Sequence, residues 1–189
     1  KTDYTLRDQR NAMRYCLLTL LAIVTAYTSW QIGAPVSANA AEPRLIGTFR
    51  DWSAYEFQDP NGKVCYMASR PIKDEGNYTR RGEIYALITH RPEERSFDVV
   101  SFIAGYTHKA GSDVSVQIGS SSFDLFTQGD TAWTRDGQTD RSLVESIRRG
   151  NRMVSRGTSS RGTLTTDTYS LSGSSAAYDA ISKACGVSP

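Results

Sequence analysis

Arg161-Gly-Thr-Leu-Thr-Thr-Asp-Thr-Tyr-Ser170, Leu171-Ser-Gly-Ser-Ser-Ala-Ala-Tyr-Asp-Ala180 and Ile181-Ser-Lys-Ala-Cys-Gly186 form one continuous stretch whose periodicity changes halfway. Its first half is rich in Thr and Tyr, which suit a pleated, half-buried strand. Its second half spaces Ala177, Ile181 and Cys185 at i, i+4 and i+8, one face of a helix. Gly173 and Ser174 break the strand and can cap that helix, and Gly186 can close it. Cys185 then sits in the last turn of a terminal helix, faces inward and needs a partner. Ile181 on the same face, and Trp52 near the start of the folded part, are the expected core anchors.

The other end of the chain has a different character. Met13-Arg14-Tyr15 leads into Cys16-Leu-Leu-Thr-Leu-Leu-Ala-Ile-Val-Thr-Ala-Tyr27, followed by Gly33, Pro35 and Ala38-Asn39-Ala40. A basic start, a short apolar run and small residues at A-x-A spacing describe a secretory signal peptide, with cleavage expected after Ala40. An uncleaved anchor is the alternative, although the run is marginal against the ~20 residues of a spanning helix. The residues before Met13 read as an over-called start. Domain organisation is thus a signal segment at 1–40 and one domain at 41–189, with no transmembrane span after cleavage. Lys1, Arg7, Arg10 and Arg14 against Asp3 and Asp8 account for the whole excess charge of +2, so the remainder is neutral. Neutrality excludes bulk nucleic-acid binding.

Beyond the signal segment only Cys65 and Cys185 remain. In an exported protein such a pair reads as a disulfide. It would close a loop of about 120 residues, which chain entropy values at roughly 4–5 kcal/mol. Two separate thiols are the alternative. A nucleophilic Cys65 served by His90 or His108 is a third reading, without a recognisable motif behind it.

Between the two ends, short apolar segments alternate with turn residues. Leu45–Phe49 and Trp52–Phe57 flank a bend at Arg50-Asp51. Asp59-Pro-Asn-Gly62 makes a turn into Lys63–Ser69. Pro71–Gly82 is polar and reads as a loop. Glu83–His90 alternates. Phe97–Tyr106 is apolar on both parities, as in a central strand covered on both faces. Asp113–Ile118 and Ser122–Phe126 follow, then Ala132–Thr134. Thr139–Arg149 reads as a helix capped by Thr139 or Asp140, and Arg152–Gly157 with Gly162–Leu171 as a hairpin. Closely spaced strands with polar turns indicate an antiparallel sandwich or barrel rather than βαβ units.

Three groups of residues could carry chemistry. Arg141, Arg148, Arg149, Arg152, Arg156 and Arg161 have only Glu145 among them as counter-charge, so they form either an anion-binding patch or a solvated surface. Asp130, Asp136 and Asp140 with Gly137 lack the spacing of a calcium loop, and no metal or other cofactor is expected. Asp130, Asp136 or Glu83 would have to pair across a cleft to serve a hydrolase of envelope polymers. Trp52, Trp133 and the tyrosines can stack on sugars or fill a core.

The exported start, Phe49-Arg50-Asp51-Trp52, Lys63-Val64-Cys65 and Thr168-Tyr-Ser-Leu-Ser-Gly-Ser-Ser-Ala-Ala177 with Ala184-Cys185 resemble the invasion-associated locus B family, envelope proteins of Gram-negative bacteria. The resemblance implies a mainly β fold: an immunoglobulin-like antiparallel β-sandwich with one short internal helix and a C-terminal helix tied by the disulfide. It also implies a periplasmic, outer-membrane-associated or secreted location, a loose association with host-cell entry, and no assigned catalytic residues. The expected function is non-catalytic binding of an envelope or host protein through the sandwich surface, with anionic lipid or lipopolysaccharide phosphate as the alternative ligand. Two positions depart from the family pattern. Ser53-Ala-Tyr-Glu56 lacks a cysteine, which removes a second bridge, and Ser174 replaces an aromatic, which is expected to weaken docking of the last helix.

Overall fold

The computed structural model describes residues 42–188, and the segment read as a signal peptide, with Cys16, lies outside them. Eleven strands and two helices follow in chain order: β1 (Arg44–Phe49), β2 (Trp52–Asp59), β3 (Gly62–Ser69), β4 (Lys73–Gly76), β5 (Tyr85–Arg91), β6 (Ser96–Ile103), β7 (Asp113–Ile118), β8 (Ser121–Gln128), β9 (Thr131–Trp133), α1 (Gly137–Arg149), β10 (Arg152–Thr158), β11 (Leu164–Ser170) and α2 (Ser174–Ala184). All strand pairs are antiparallel. The fold is mainly β with one internal and one terminal helix, as the sequence implies.

The strands join in one sheet of order β1-β2-β3-β5-β6-β9-β8-β7-β10-β11-β4. Hydrogen bonding does not divide it into the two sheets of an immunoglobulin-like sandwich. Its shape follows from a length argument. Eight strand spacings separate β3 from β4 in this order, which in a flat sheet is about 38 Å. Only residues 70–72 connect them, a reach of about 14 Å at most. The sheet must therefore roll up. Where its ends approach, Trp52 Nε1 donates to Ser170 O at 3.1 Å and Asp51 N to Ser172 O at 3.3 Å.

Inward residues of the roll and the apolar faces of both helices make one core: Trp52, Met67, Ile88, Leu125, Met153 and Tyr169 meet Leu143, Ile147, Ala177 and Ile181. Trp52 and Ile181 are both fully buried. The Cys65–Cys185 disulfide ties the end of α2 to β3, with Cα atoms 5.9 Å apart. Lys63 Nζ donates to Ala184 O at 2.6 Å, placing a cation at the negative end of the helix.

Four local expectations need correction. Pro71–Gly82 is not wholly a loop: residues 73–76 form the edge strand β4, exposed on every side chain, paired to Thr165–Thr168. β6 is covered on one face only. Val100 and Phe102 point into the core, whereas Phe97 is 41% exposed and Val99, Ser101 and Ile103 are half-buried. The cap of α1 is Asp136, whose carboxylate accepts from Gln138 N at 2.9 Å and Thr139 N at 2.8 Å. Asp140 is buried and accepts from Val100 N at 2.9 Å. That N–H lies just beyond the stretch of β6 that the short β9 covers.

The fourth concerns Ser174. It is 1% exposed, and its Oγ donates to Ile147 O at 2.9 Å, while Ser175 Oγ donates to Arg148 O at 2.8 Å. The last carbonyls of a helix have no partner within it, so the first turn of α2 supplies them for α1. Serine at 174 docks the helix instead of weakening it. Ser174→Ala is expected to cost about 1–2 kcal/mol by stranding a buried carbonyl, readable as a lower urea midpoint at unchanged slope. Gly173 makes this docking possible. It has φ +89°, and a Cβ there would lie 1.9 Å from Phe49 O.

Candidate functional site

The six arginines singled out from the sequence do not gather in one place. Arg148 lies over the Tyr178 ring at 4.4 Å and pairs with Asp179 at 3.1 Å. Arg149 pairs with Glu145 at 2.6 Å. Arg149 with its partner Glu145, and Arg152, border an open polar groove of about 510 Å³ between α1, the β7–β8 turn and the start of β10. Arg156 reaches Gln117 on the neighbouring β7. Arg141 is exposed near the beginning of α1. Arg161 stands at the opposite end of the β10–β11 hairpin from Arg152, about 20 Å away along seven strand residues.

At that end Arg161 meets two arginines the sequence reading passed over. Arg80, Arg81 and Arg161 line a cleft of about 490 Å³ together with Tyr78, Thr79, Tyr106, Thr107, Ser160 and Thr163. Its lining contains no carboxylate. Arg81 is the floor. Its side chain is 4% exposed and grips Asp167, 6% exposed, through two bonds of 2.6 and 2.7 Å. Its Nε donates to Ala104 O at 2.7 Å, and the guanidinium lies 5.0 Å from the Tyr106 ring centre and 5.5 Å from that of Tyr78. Burial works against the Arg81 charge, but the hydrogen bonds and attraction of Asp167 outweigh it and keep the guanidinium protonated. The dipeptide Arg80-Arg81 after an aromatic was the available signal. Its partner Asp167, 86 residues further on, was not visible in the sequence.

Three loops hold the cleft in shape. Gly82 N donates to Gly105 O at 2.9 Å, Ser160 N to Thr107 O at 2.8 Å, and Lys109 N to Thr158 O at 2.9 Å. Gly105, at φ +70°, permits the first contact, since a Cβ there would lie 2.5 Å from Gly82 O.

The remaining candidates each have a local role. Asp136 caps α1, Asp130 accepts from the Thr131 hydroxyl at 2.9 Å, and Glu83 pairs with Arg70. Cys65 and Cys185 are joined, so neither is a thiol. Trp133 is half-buried against Phe126, ring centres 5.8 Å apart, while Trp52 belongs to the core. On the outer face of the roll Tyr55 stacks on Tyr66 at 5.1 Å, and with Phe57, Leu87 and Ile103 they border an open groove of about 680 Å³.

His90 is a structural hub rather than a general base for Cys65. Fully buried, it accepts at Nδ1 from Asp98 N at 3.1 Å, so its proton sits on Nε2, facing Ser182 Oγ at 3.3 Å. Asp98 lies at a β-bulge with φ +62° and accepts from Tyr178 Oη at 2.7 Å. Burial lowers the His90 pKa, with Asp98 pulling the other way, and burial also lowers that of His108. A folded value below the ordinary ~6.5 means that the unfolded chain binds the proton first. The contribution of these two histidines to stability is therefore full above about pH 6.5 and falls as pH drops below it. Melting temperatures measured from pH 7.5 to 5 are expected to decline, and less steeply in His90→Gln.

The fold and the buried disulfide define a small β-rich protein fitted to an oxidising compartment. The chain belongs to the Invasion associated locus B (IalB) protein family, whose model matches residues 52–182, from the buried Trp52 to the Ser182 that faces His90. Membership supports an exported protein of the bacterial envelope. No curated protein and no solved structure matches the chain significantly. Among the described residues no helix is long and apolar enough to cross a membrane.

Proposed function

We propose that the protein, once its signal segment is removed, works in the periplasm or at the outer membrane as a non-catalytic binding module. It recognises an envelope or host component through the surface of its rolled sheet. The observation that carries this reading is the cleft at Arg80, Arg81 and Arg161: three guanidinium groups among hydroxyls, with no acid, imidazole or thiol in the lining. Such a surface supplies charge and hydrogen bonds for recognition. It offers no side chain suited to proton transfer near neutral pH. Crosslinking in intact envelopes, followed by capture of the tagged protein, should return a specific partner. Its absence under every growth condition would count against the proposal.

A second reading, attachment to anionic lipid, is favoured by the groove that Arg149 and Arg152 share. Binding to phosphatidylglycerol vesicles should then weaken steeply with added salt and disappear in Arg149→Ala/Arg152→Ala. A flat salt response rejects it.

A further inference from the structure

We propose that the cleft formed by Thr79–Arg81, Thr107 and the Ser159–Thr163 turn binds a phosphorylated saccharide. The inference rests on the reading of the protein as a binding module and names the ligand class of that site.

Asp167 neutralises Arg81, so the attraction for an anion comes from Arg80 and Arg161. Both are exposed, and neither pairs with a carboxylate among the described residues. Two free guanidinium groups at one cleft suit a doubly charged oxyanion, which each can grip with two parallel N–H bonds.

Hydroxyl accounting identifies the rest of the ligand. Tyr78 Oη donates to Asp74, and Tyr106 Oη is bonded to Thr165 Oγ1 at 2.6 Å. Ser159 Oγ accepts from Thr163 N at 3.1 Å. The hydroxyls of Thr79, Thr107, Ser160 and Thr163 have no such role among the described residues, and all four line the cleft. Groups that both donate and accept match the alternating needs of a polyol. The volume of about 490 Å³ is in the range of small-molecule sites and is large for a lone phosphate. No aliphatic side chain larger than the threonine methyl lines it, so it does not suit an acyl chain. The loop-to-loop hydrogen bonds keep it formed, which reduces the ordering cost of binding.

The test is calorimetric titration of the purified, disulfide-bonded protein at low salt with glucose 1-phosphate, inorganic phosphate and glucose. Glucose 1-phosphate is expected to bind at least tenfold more tightly than either fragment. Arg80→Gln and Arg161→Gln should each weaken it roughly tenfold, the scale of one charge-assisted contact. Both side chains are exposed, so these variants should fold. Ser160→Ala/Thr163→Val should narrow the gap between glucose 1-phosphate and phosphate while leaving phosphate binding alone.

Vesicles carrying phosphatidylinositol 4-phosphate, whose terminal phosphate is a doubly charged monoester on a polyol, distinguish the source. Vesicle binding that glucose 1-phosphate displaces assigns the ligand to a lipid-borne headgroup, and binding of the soluble sugar alone assigns a free one. Equal affinity for phosphate and glucose 1-phosphate overturns the proposal, as does unchanged affinity in Arg80→Gln/Arg161→Gln. If glucose 1-phosphate fails to bind while the parent still captures a specific envelope partner, this site falls and the binding-module reading stands. If the parent captures nothing, the broader reading falls.

Discussion

Deleting the Cys65–Cys185 bridge is expected to lower the melting temperature by roughly 10–20 °C. The bond closes a loop with a sequence separation of 120 residues. Chain entropy assigns such a loop about 4–5 kcal/mol, and a protein of this size shifts by roughly 2–4 °C per kcal/mol. The location sharpens the expectation. The bridge joins β3, near one edge of the sheet, to the end of the last helix. Without it, α2 keeps its apolar face, the Ser174 bond and the Lys63 contact, so native structure should persist at low temperature. Both sulfurs are buried, with Cys65 wholly inaccessible and Cys185 9% exposed. Reductant should therefore act at the pace of local opening. Thermal melts of Cys65→Ala/Cys185→Ala beside the parent, with and without reductant, read the effect. An unchanged midpoint would mean that packing alone closes the roll.

Arg81→Met is expected to cost about 3–5 kcal/mol, the range for removing one partner of a buried pair. Asp167 would be left 6% exposed with no counter-charge. Burial already pushes its carboxyl above the usual range while Arg81 pulls it down, and the variant keeps only the upward push. A carboxyl raised above its unfolded value favours the fold in its protonated form. That contribution is complete below the unfolded value near 4 and is lost as pH rises through the folded one. Arg81→Met should therefore be hurt more at pH 8 than at pH 5, relative to the parent at each pH. Arg81→Met/Asp167→Asn should recover part of the loss and its pH dependence. Equal destabilisation at both pH values would show that the pair contributes packing and little else.

These two predictions differ in how much of their basis could be read from the sequence. The pairing of Cys65 with Cys185 needed only an even count and an exported context. The Arg81–Asp167 pair could not be anticipated, because the partners lie 86 residues apart and the segment between β4 and β5 reaches Asp167 of β11 and Ala104 beyond β6 only in the folded chain. The same holds for the arginines overall. A run in sequence suggested one patch, but the extended hairpin carries Arg161 away from Arg152, and ion pairs occupy Arg148 and Arg149. Ser174 shows the converse. Judged as a missing aromatic it looked like a weakness, yet its hydroxyl meets a carbonyl, Ile147 O, that α1 leaves bare.

Composition and periodicity alone indicated a mainly β chain with most strands near their observed places, two helices and one disulfide. These depend on local spacing, turn chemistry and cysteine count, all of which act within a few residues or require no geometry. Tertiary structure alone decided that the strands form one rolled sheet, that β6 shows its outer face, and that Arg80 and Arg81 join Arg161 at a cleft. Those outcomes depend on contacts between residues far apart in sequence, such as Arg81 with Asp167, 86 positions on, and Trp52 with Ser170, 118 positions on, and chain closure, not local preference, selects them.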